Sequence, residues 1–219
     1  MKKCTALFLF FALIASAAAQ MIVLTPEKAA IAAKYTKLRL DYAKSKDYDP
    51  YDREYQDAAK KADSLFYKEK KQREALAVIE PFIKKNPYCV YLLQTKASML
   101  RAMGKTNEAD EVRQTWFGII NSIMASGDGK SFQTAMQVIS VAEEYDVLRV
   151  LKWEMVDQAM TNHGSHFYDI LTVKNTARPD VEPFDIYFNI DIPFSLMQKE
   201  YSADPASTLE NSKVKSTNQ

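Results

Sequence analysis

The stretch Ala125-Ser-Gly-Asp-Gly-Lys-Ser-Phe-Gln-Thr-Ala-Met-Gln-Val-Ile-Ser-Val-Ala-Glu-Glu-Tyr-Asp-Val-Leu148 decides the fold. Before it, apolar residues recur at helical spacing; after it, they alternate. Gly127 and Gly129 flank Asp128, and the 219 residues contain only five glycines. A glycine closing a helical run is expected to stop the helix as a left-handed C′ residue, and Asp-Gly favours a tight turn. The β-branched Val138, Ile139 and Val141 predict a buried strand over residues 134–141. Glu143 and Glu144, followed by Val147, Leu148 and Leu151, predict a short helix with acids at the positive end of its dipole.

Gly129-Lys130-Ser131 has the ending of a phosphate-binding loop, in which glycine amides cradle the phosphates. The spacing fails, because Met124 stands where the first glycine belongs and the chain runs from helix to strand rather than the reverse. A calcium loop needs alternating oxygen ligands that Asp128 lacks. The stretch therefore reads as a helix stop and hinge. Its polar candidates for a small-ligand or hydrolytic site are Gly127, Asp128, Gly129, Lys130, Ser131, Glu144 and Tyr145.

The hinge carries a family resemblance. Ser126-Gly-Asp-Gly-Lys-Ser131, Thr134-Ala135, Val138-Ile-Ser140, Glu144-Tyr145 and, further on, Tyr187-Phe-Asn-Ile-Asp191 together resemble a domain-of-unknown-function family, number 4919. Its members are secreted proteins of about this length, largely from Bacteroidetes. The motifs cover roughly the C-terminal half. The resemblance implies a fold and an exported compartment, and it assigns no activity.

Residues 1–19 predict a secretory leader: Lys2 and Lys3, an apolar run from Thr5 to Ile14, and Ala17-Ala-Ala19 as the cleavage site. The run is far short of the ~20 residues that span a bilayer, so no transmembrane anchor is expected in the mature chain, which would be periplasmic or secreted. Without Lys2 and Lys3, 27 basic residues face 28 acidic ones, which changes the formal charge from +1 to −1. Neither a nucleic-acid footprint nor a polybasic membrane patch is supported. Cys89 alone remains, so no intrachain disulfide can form. Its neighbours Tyr88, Val90 and Tyr91 favour a buried thiol over a nucleophile.

Thr25-Pro26 predicts a helix start, with a helix to about Ala43 whose apolar side holds Ala29, Ala33, Leu38 and Leu40. Tyr48, Tyr51 and Tyr55 are interleaved with aspartates around Pro50 and fit either a recognition surface or packing between helices. Three or four helices follow. Ala75, Leu76, Ile79, Phe82 and Ile83 share one face. Leu93, Ala97 and Leu100 mark the next helix, and Ala109, Val112, Trp116, Ile119, Ile120 and Ile123 the one after. Ala109 falls 34 residues after Ala75, the tetratricopeptide period. Asp63-Ser64-Leu65 matches a short O-glycosylation motif but falls within a predicted helix.

Beyond the hinge the period becomes two. His166–Lys174 and Phe184–Asp191 predict strands, joined by a loop with two prolines. Phe184, Ile186, Phe188 and Ile190 share one face of the second. Residues 153–160 offer a third strand, Pro193 ends the last, and residues 202–219 form a polar tail expected to be disordered.

Catalytic signals are sparse. His163, His166 and Asp169 have zinc-ligand chemistry, but an odd spacing on a strand points His166 and Asp169 to opposite faces. Asp185 and Asp191 lie about 20 Å apart along a strand, beyond the ~10 Å of a glycosidase pair. No G-x-S-x-G elbow or H-E-x-x-H helix is present.

The expectation is an α+β protein: a tetratricopeptide-like helical layer over residues 20–126, then a small, mostly antiparallel sheet with one helix over residues 127–201. No cofactor or metal is expected. The leading functional reading is a non-enzymatic module binding an envelope protein or peptide, with Leu93, Ala97, Tyr48, Tyr51 and Tyr55 beside a groove. The alternative is a hydrolase or small-ligand binder built on the hinge loop around Asp128.

Overall fold

The computed structural model describes residues 25–51 and 53–203. The expected leader, and the tail beyond residue 203, lie outside them.

Helix α1 (Pro26–Tyr42) starts as its sequence dictates: Thr25 accepts the Lys28 N–H at 3.4 Å, and Pro26 fills the first turn, where no intrahelical donor is needed. Its buried face differs from the expected one. Ala29 and Ala33 are exposed and Leu38 and Leu40 half-buried, whereas Ala32, Arg39 and Tyr42 are buried. The stripe is centred on an arginine, which an apolar pattern cannot reveal.

Helix α2 (Arg53–Asp63) runs into a π-helical turn (Ser64–Lys68), leaving the half-buried Asp63-Ser64-Leu65 inside helical structure. Helices α3 (Gln72–Lys85), α4 (Val90–Ala102) and α5 (Thr106–Met124) follow. α2 packs on α3, α4 on α5, and α1 on α5. Ala75 and Ala109, 34 residues apart, are both buried, where a small side chain allows close helix approach.

The sheet has the order β1-β4-β3-β2, with β1 (Met136–Gln137), β2 (Trp153–His163), β3 (His166–Asn175) and β4 (Phe184–Asn189). β1 runs parallel to β4, and the other pairs are antiparallel. On β4, Ile186 and Phe188 are buried and Asp185 is exposed, as its alternation predicts.

Three expectations are corrected. The strand over residues 134–141 shrinks to two residues, because Ser140 caps helix α6 (Val141–Leu151) by accepting the Glu143 N–H at 3.4 Å. Val138 and Ile139 are buried on the approach to that helix, while Val141 is exposed. Pro193 also does not end the last strand, which stops at Asn189. Helix α7 (Asp191–Ala203) takes that proline into its first turn, so two helices accompany the sheet and residues 202–203 are helical. Finally, the helix stop is not a left-handed Gly127. Ala125 caps α5 in the right-handed region. The left-handed residue is Gly129 (φ +70), whose carbonyl accepts the Tyr187 N–H of β4 at 2.8 Å. Gly127 is required by proximity: a Cβ there would stand 2.2 Å from the Thr134 carbonyl oxygen.

The larger core crosses the hinge. Leu93, Ile119, Ile120 and Ile123 of the helices meet Val147 and Leu148 of α6 and Leu171, Val173, Ile186 and Phe188 of the sheet. A second core under α2–α4 holds Tyr55, Phe66, Ile79, Leu92 and Met99.

Candidate functional site

Helix α6 organises the polar interior. Its first turn is pinned from α1: Arg39 Nε donates to Glu143 Oε1 at 2.7 Å, and Nη2 pairs with Glu143 Oε2. The guanidinium also donates to Ser122 Oγ (3.1 Å) and the Gln137 carbonyl (3.2 Å), and the Ile139 N–H donates to Glu143 Oε2 (2.8 Å). Both charges are buried and several of their hydrogen-bonding atoms are engaged, the condition under which such a pair is tolerated.

With the first turn held, Ala142, Asp146 and Arg149 fall at i, i+4 and i+7, with Tyr145 beside them. They line a cleft of about 400 Å³ against Tyr55 and Gln56 of α2, Cys89 and Tyr91. Arg149 spans it. Its Nη1 donates to Asp146 Oδ1 at 2.5 Å and lies 3.5 Å from Gln94 Oε1, and the guanidinium carbon sits 5.3 Å from the Tyr91 ring centre. Burial pushes the Asp146 carboxyl up to about 6, against the opposing pull of Arg149. Behind the cleft, Tyr42, Tyr48, Tyr88, Cys89 and Asp146 border a space of about 10 Å³, enough for roughly one water.

The opposite side of α6 carries a second acid. Glu144 is fully buried, and among the described residues neither of its oxygens meets an N–H or hydroxyl donor. Asp169 of β3 faces it, and two carboxylates brought together in a buried place repel each other unless one of them holds a proton. Burial first, then the facing Asp169, holds Glu144 well above the usual carboxyl range. Asp169 is also raised by burial, although Gln158 donates to it. Gln158 Oε1 in turn accepts the Tyr145 hydroxyl at 3.2 Å, which links the acid pair to the cleft.

The hinge candidates do not converge. Asp128 is exposed, accepts the Lys130 N–H at 3.1 Å and pairs with Lys130 Nζ at 3.3 Å; Thr134 first, then Lys130, holds its carboxyl below the usual range. Ser131 Oγ lies 3.1 Å from Thr134 Oγ1. These contacts close the loop on itself. Asp191 is engaged elsewhere, 2.6 Å from His166 Nδ1 and accepting the Phe167 N–H at 2.7 Å. Despite its burial, those contacts keep it below the usual range. His163 stacks on Phe132 at 4.6 Å. Among the described residues no group of three or more His, Cys, Asp and Glu side chains could hold a metal ion.

The expected groove is redistributed. Leu93 belongs to the larger core and Ala97 is half-buried, so neither offers an open surface. Tyr55 lines the cleft, whereas Tyr48 and Tyr51 border a separate hollow of about 390 Å³ with Lys85 and Leu196. Sequence reasoning missed Gln56, Tyr91, Asp146 and Arg149, and it considered Asp169 only as a zinc ligand beside His163 and His166, not as the partner of Glu144. Two signals were available: Ser140-x-x-Glu143 is a capping-box spacing that starts α6, and Asp169 shares the inward parity of Leu171 and Val173.

No described helix is long and apolar enough to cross a membrane. No curated protein and no solved structure matches the chain. The family model described as domain of unknown function (DUF4919) matches residues 28–200, spanning the helical layer, the hinge and the sheet: the chain belongs to that family.

Proposed function

We propose that the protein is a non-enzymatic binding module of the cell envelope, taking a peptide or an extended segment of an envelope protein into the cleft between α2, α4 and α6. The expected leader at residues 1–19 supports the compartment. The observation that carries the reading is the lining of the cleft: Tyr91 and Tyr145 beside Arg149, over the buried Tyr55 and Asp146. Tyrosine rings supply apolar contact at small entropic cost, and a guanidinium recognises a carboxylate through paired N–H donors. Asp146, raised to about 6, takes up a proton as the pH falls toward that value. It can therefore release Arg149 to an incoming carboxylate, so an acidic side chain or chain terminus is the favoured anchor. The hinge-loop alternative has less support, because Asp128 is used within its own turn and Glu144 is enclosed against Asp169.

Selection from a displayed peptide library tests this. Enriched peptides should carry a carboxylate and bind more weakly as pH rises from 6 to 8. Arg149→Glu and Tyr91→Ala should each weaken them by more than ~10-fold, and Lys130→Ala should leave them unchanged. No enrichment, or binding lost only in Lys130→Ala, overturns the assignment.

A further inference from the structure

Strand β2 is an edge: among the described residues, β3 is its one ladder neighbour. An open edge presents unpaired N–H and C=O groups and accepts another strand unless charge, proline or a bulge blocks it. The bulge in β2 falls between Met155 and Asp157, toward one end. Beyond it, Asp157-Gln-Ala-Met-Thr-Asn-His163 pairs residue for residue with β3 and contains no Lys, Arg or Pro. Nine of the eleven residues from Trp153 to His163 are exposed and the other two, Trp153 and Thr161, half-buried; Met160 is 59% exposed, more than any other large apolar side chain described.

We propose that this seven-residue edge is a dimer interface, on which a second copy of the chain pairs antiparallel about a two-fold axis through Met160. The stretch is complementary to itself in that register. Met160 meets Met160 of the copy, Gln158 meets Asn162, Ala159 meets Thr161, and the Asp157 carboxylate meets the His163 imidazole. Apolar is matched with apolar, amide with amide and acid with base, and no like charges are opposed. An axis at Ala159 or Gln158 would run the pairing into the bulge, and one at Thr161 would leave only five residues paired. The contact is isologous and closes on two chains, joining two four-stranded sheets into one of eight strands. The axis of an antiparallel pair stands perpendicular to the sheet, so both helical layers lie on the same side. This inference is independent of what the cleft binds.

Sedimentation equilibrium of the purified protein should show a concentration-dependent dimer. Met160→Lys should sediment as a monomer, because it opposes two cations on the axis, and should share the thermal transition of the wild type at dilutions where the wild type is itself monomeric. In a Cys4→Ser, Cys89→Ala background, Met160→Cys should form a disulfide dimer under mild oxidation, since residues directly opposed have Cα atoms about 4.5–5.5 Å apart. Gln158→Cys should not, because it would lie about 13 Å from its equivalent. A monomer at all concentrations, a dimer that survives Met160→Lys, or crosslinking through Gln158→Cys rather than Met160→Cys overturns the proposal.

Discussion

Arg39 and Glu143 carry opposite charges into a space that excludes water, and each is tolerable only because the other is there. Removing one leaves an uncompensated buried charge, so Arg39→Met should lower unfolding stability by about 3–5 kcal/mol in urea titration, and the double variant with Glu143→Leu should recover much of that loss. A double variant no better than Arg39→Met would mean that the lost packing, not the orphaned charge, is responsible. Glu144 behaves differently, because burial and then Asp169 hold its carboxyl well above the ordinary range in the folded chain. Between the ordinary carboxyl value and the raised folded value, the native state binds more protons than the unfolded state, so stability falls as pH rises through that window. Asp146 adds the same slope between 3.8 and about 6. The protein should thus be more stable at pH 5 than at pH 8, and Glu144→Gln should flatten the difference while preserving a donor toward Asp169. Equal loss of stability at both pH values would show that the Glu144 carboxyl is not the proton carrier.

At the scale of elements, the hinge depends on two glycines for different reasons. A Cβ at Gly127 would press on backbone, 2.2 Å from the Thr134 oxygen and 2.6 Å from that of Ala135. Backbone held between α5 and β1 has little room to yield, so Gly127→Ala should cost about 3 kcal/mol. At Gly129 the neighbours are the tips of Met136 and Ile186, and the penalty is chiefly the left-handed φ, about 1–2 kcal/mol for alanine. Chemical denaturation should rank Gly127→Ala as the more damaging. The reverse order would place the strain at the turn rather than at the close approach. The hinge's polar residues mainly shape this turn: Asp128 binds Lys130, Gly129 binds Thr134 and Tyr187, and Ser126 Oγ accepts the Gln137 N–H at 2.8 Å.

Across the whole molecule, the helical layer and the sheet share one core, with Ile119 and Ile123 on the same cluster as Leu171 and Phe188. A boundary at residue 127 then crosses a shared core, and the two parts are expected to unfold together. The two tryptophans report on both sides of it, since Trp116 lies in α5 and Trp153 starts β2, and both pack on that cluster. Single-tryptophan variants, Trp116→Phe and Trp153→Phe, should each unfold in one transition, with fluorescence and circular dichroism coinciding. Fluorescence from Trp153 changing well before the helical signal would show that the sheet unit unfolds by itself.

Local signals determined much of this protein without tertiary contacts. Thr25-Pro26 starts α1, the spacing of Ala75, Ile79 and Phe82 makes α3 amphipathic, and the alternation of Ile186 and Phe188 gives β4 its inner face. Each acts through bonds or periodicities that span only a few residues, so the class, α+β with helices first, was legible. Tertiary structure decided what depends on partners far along the chain. Arg39 is buried because Glu143, 104 residues later, answers its charge, and the Glu144 carboxyl is held well above its usual range because the fold buries it and β3 brings Asp169 against it. The cleft exists because α2, α4 and α6 converge there. A charged residue reads as solvent-facing until its counter-charge is located, and only the folded chain locates it.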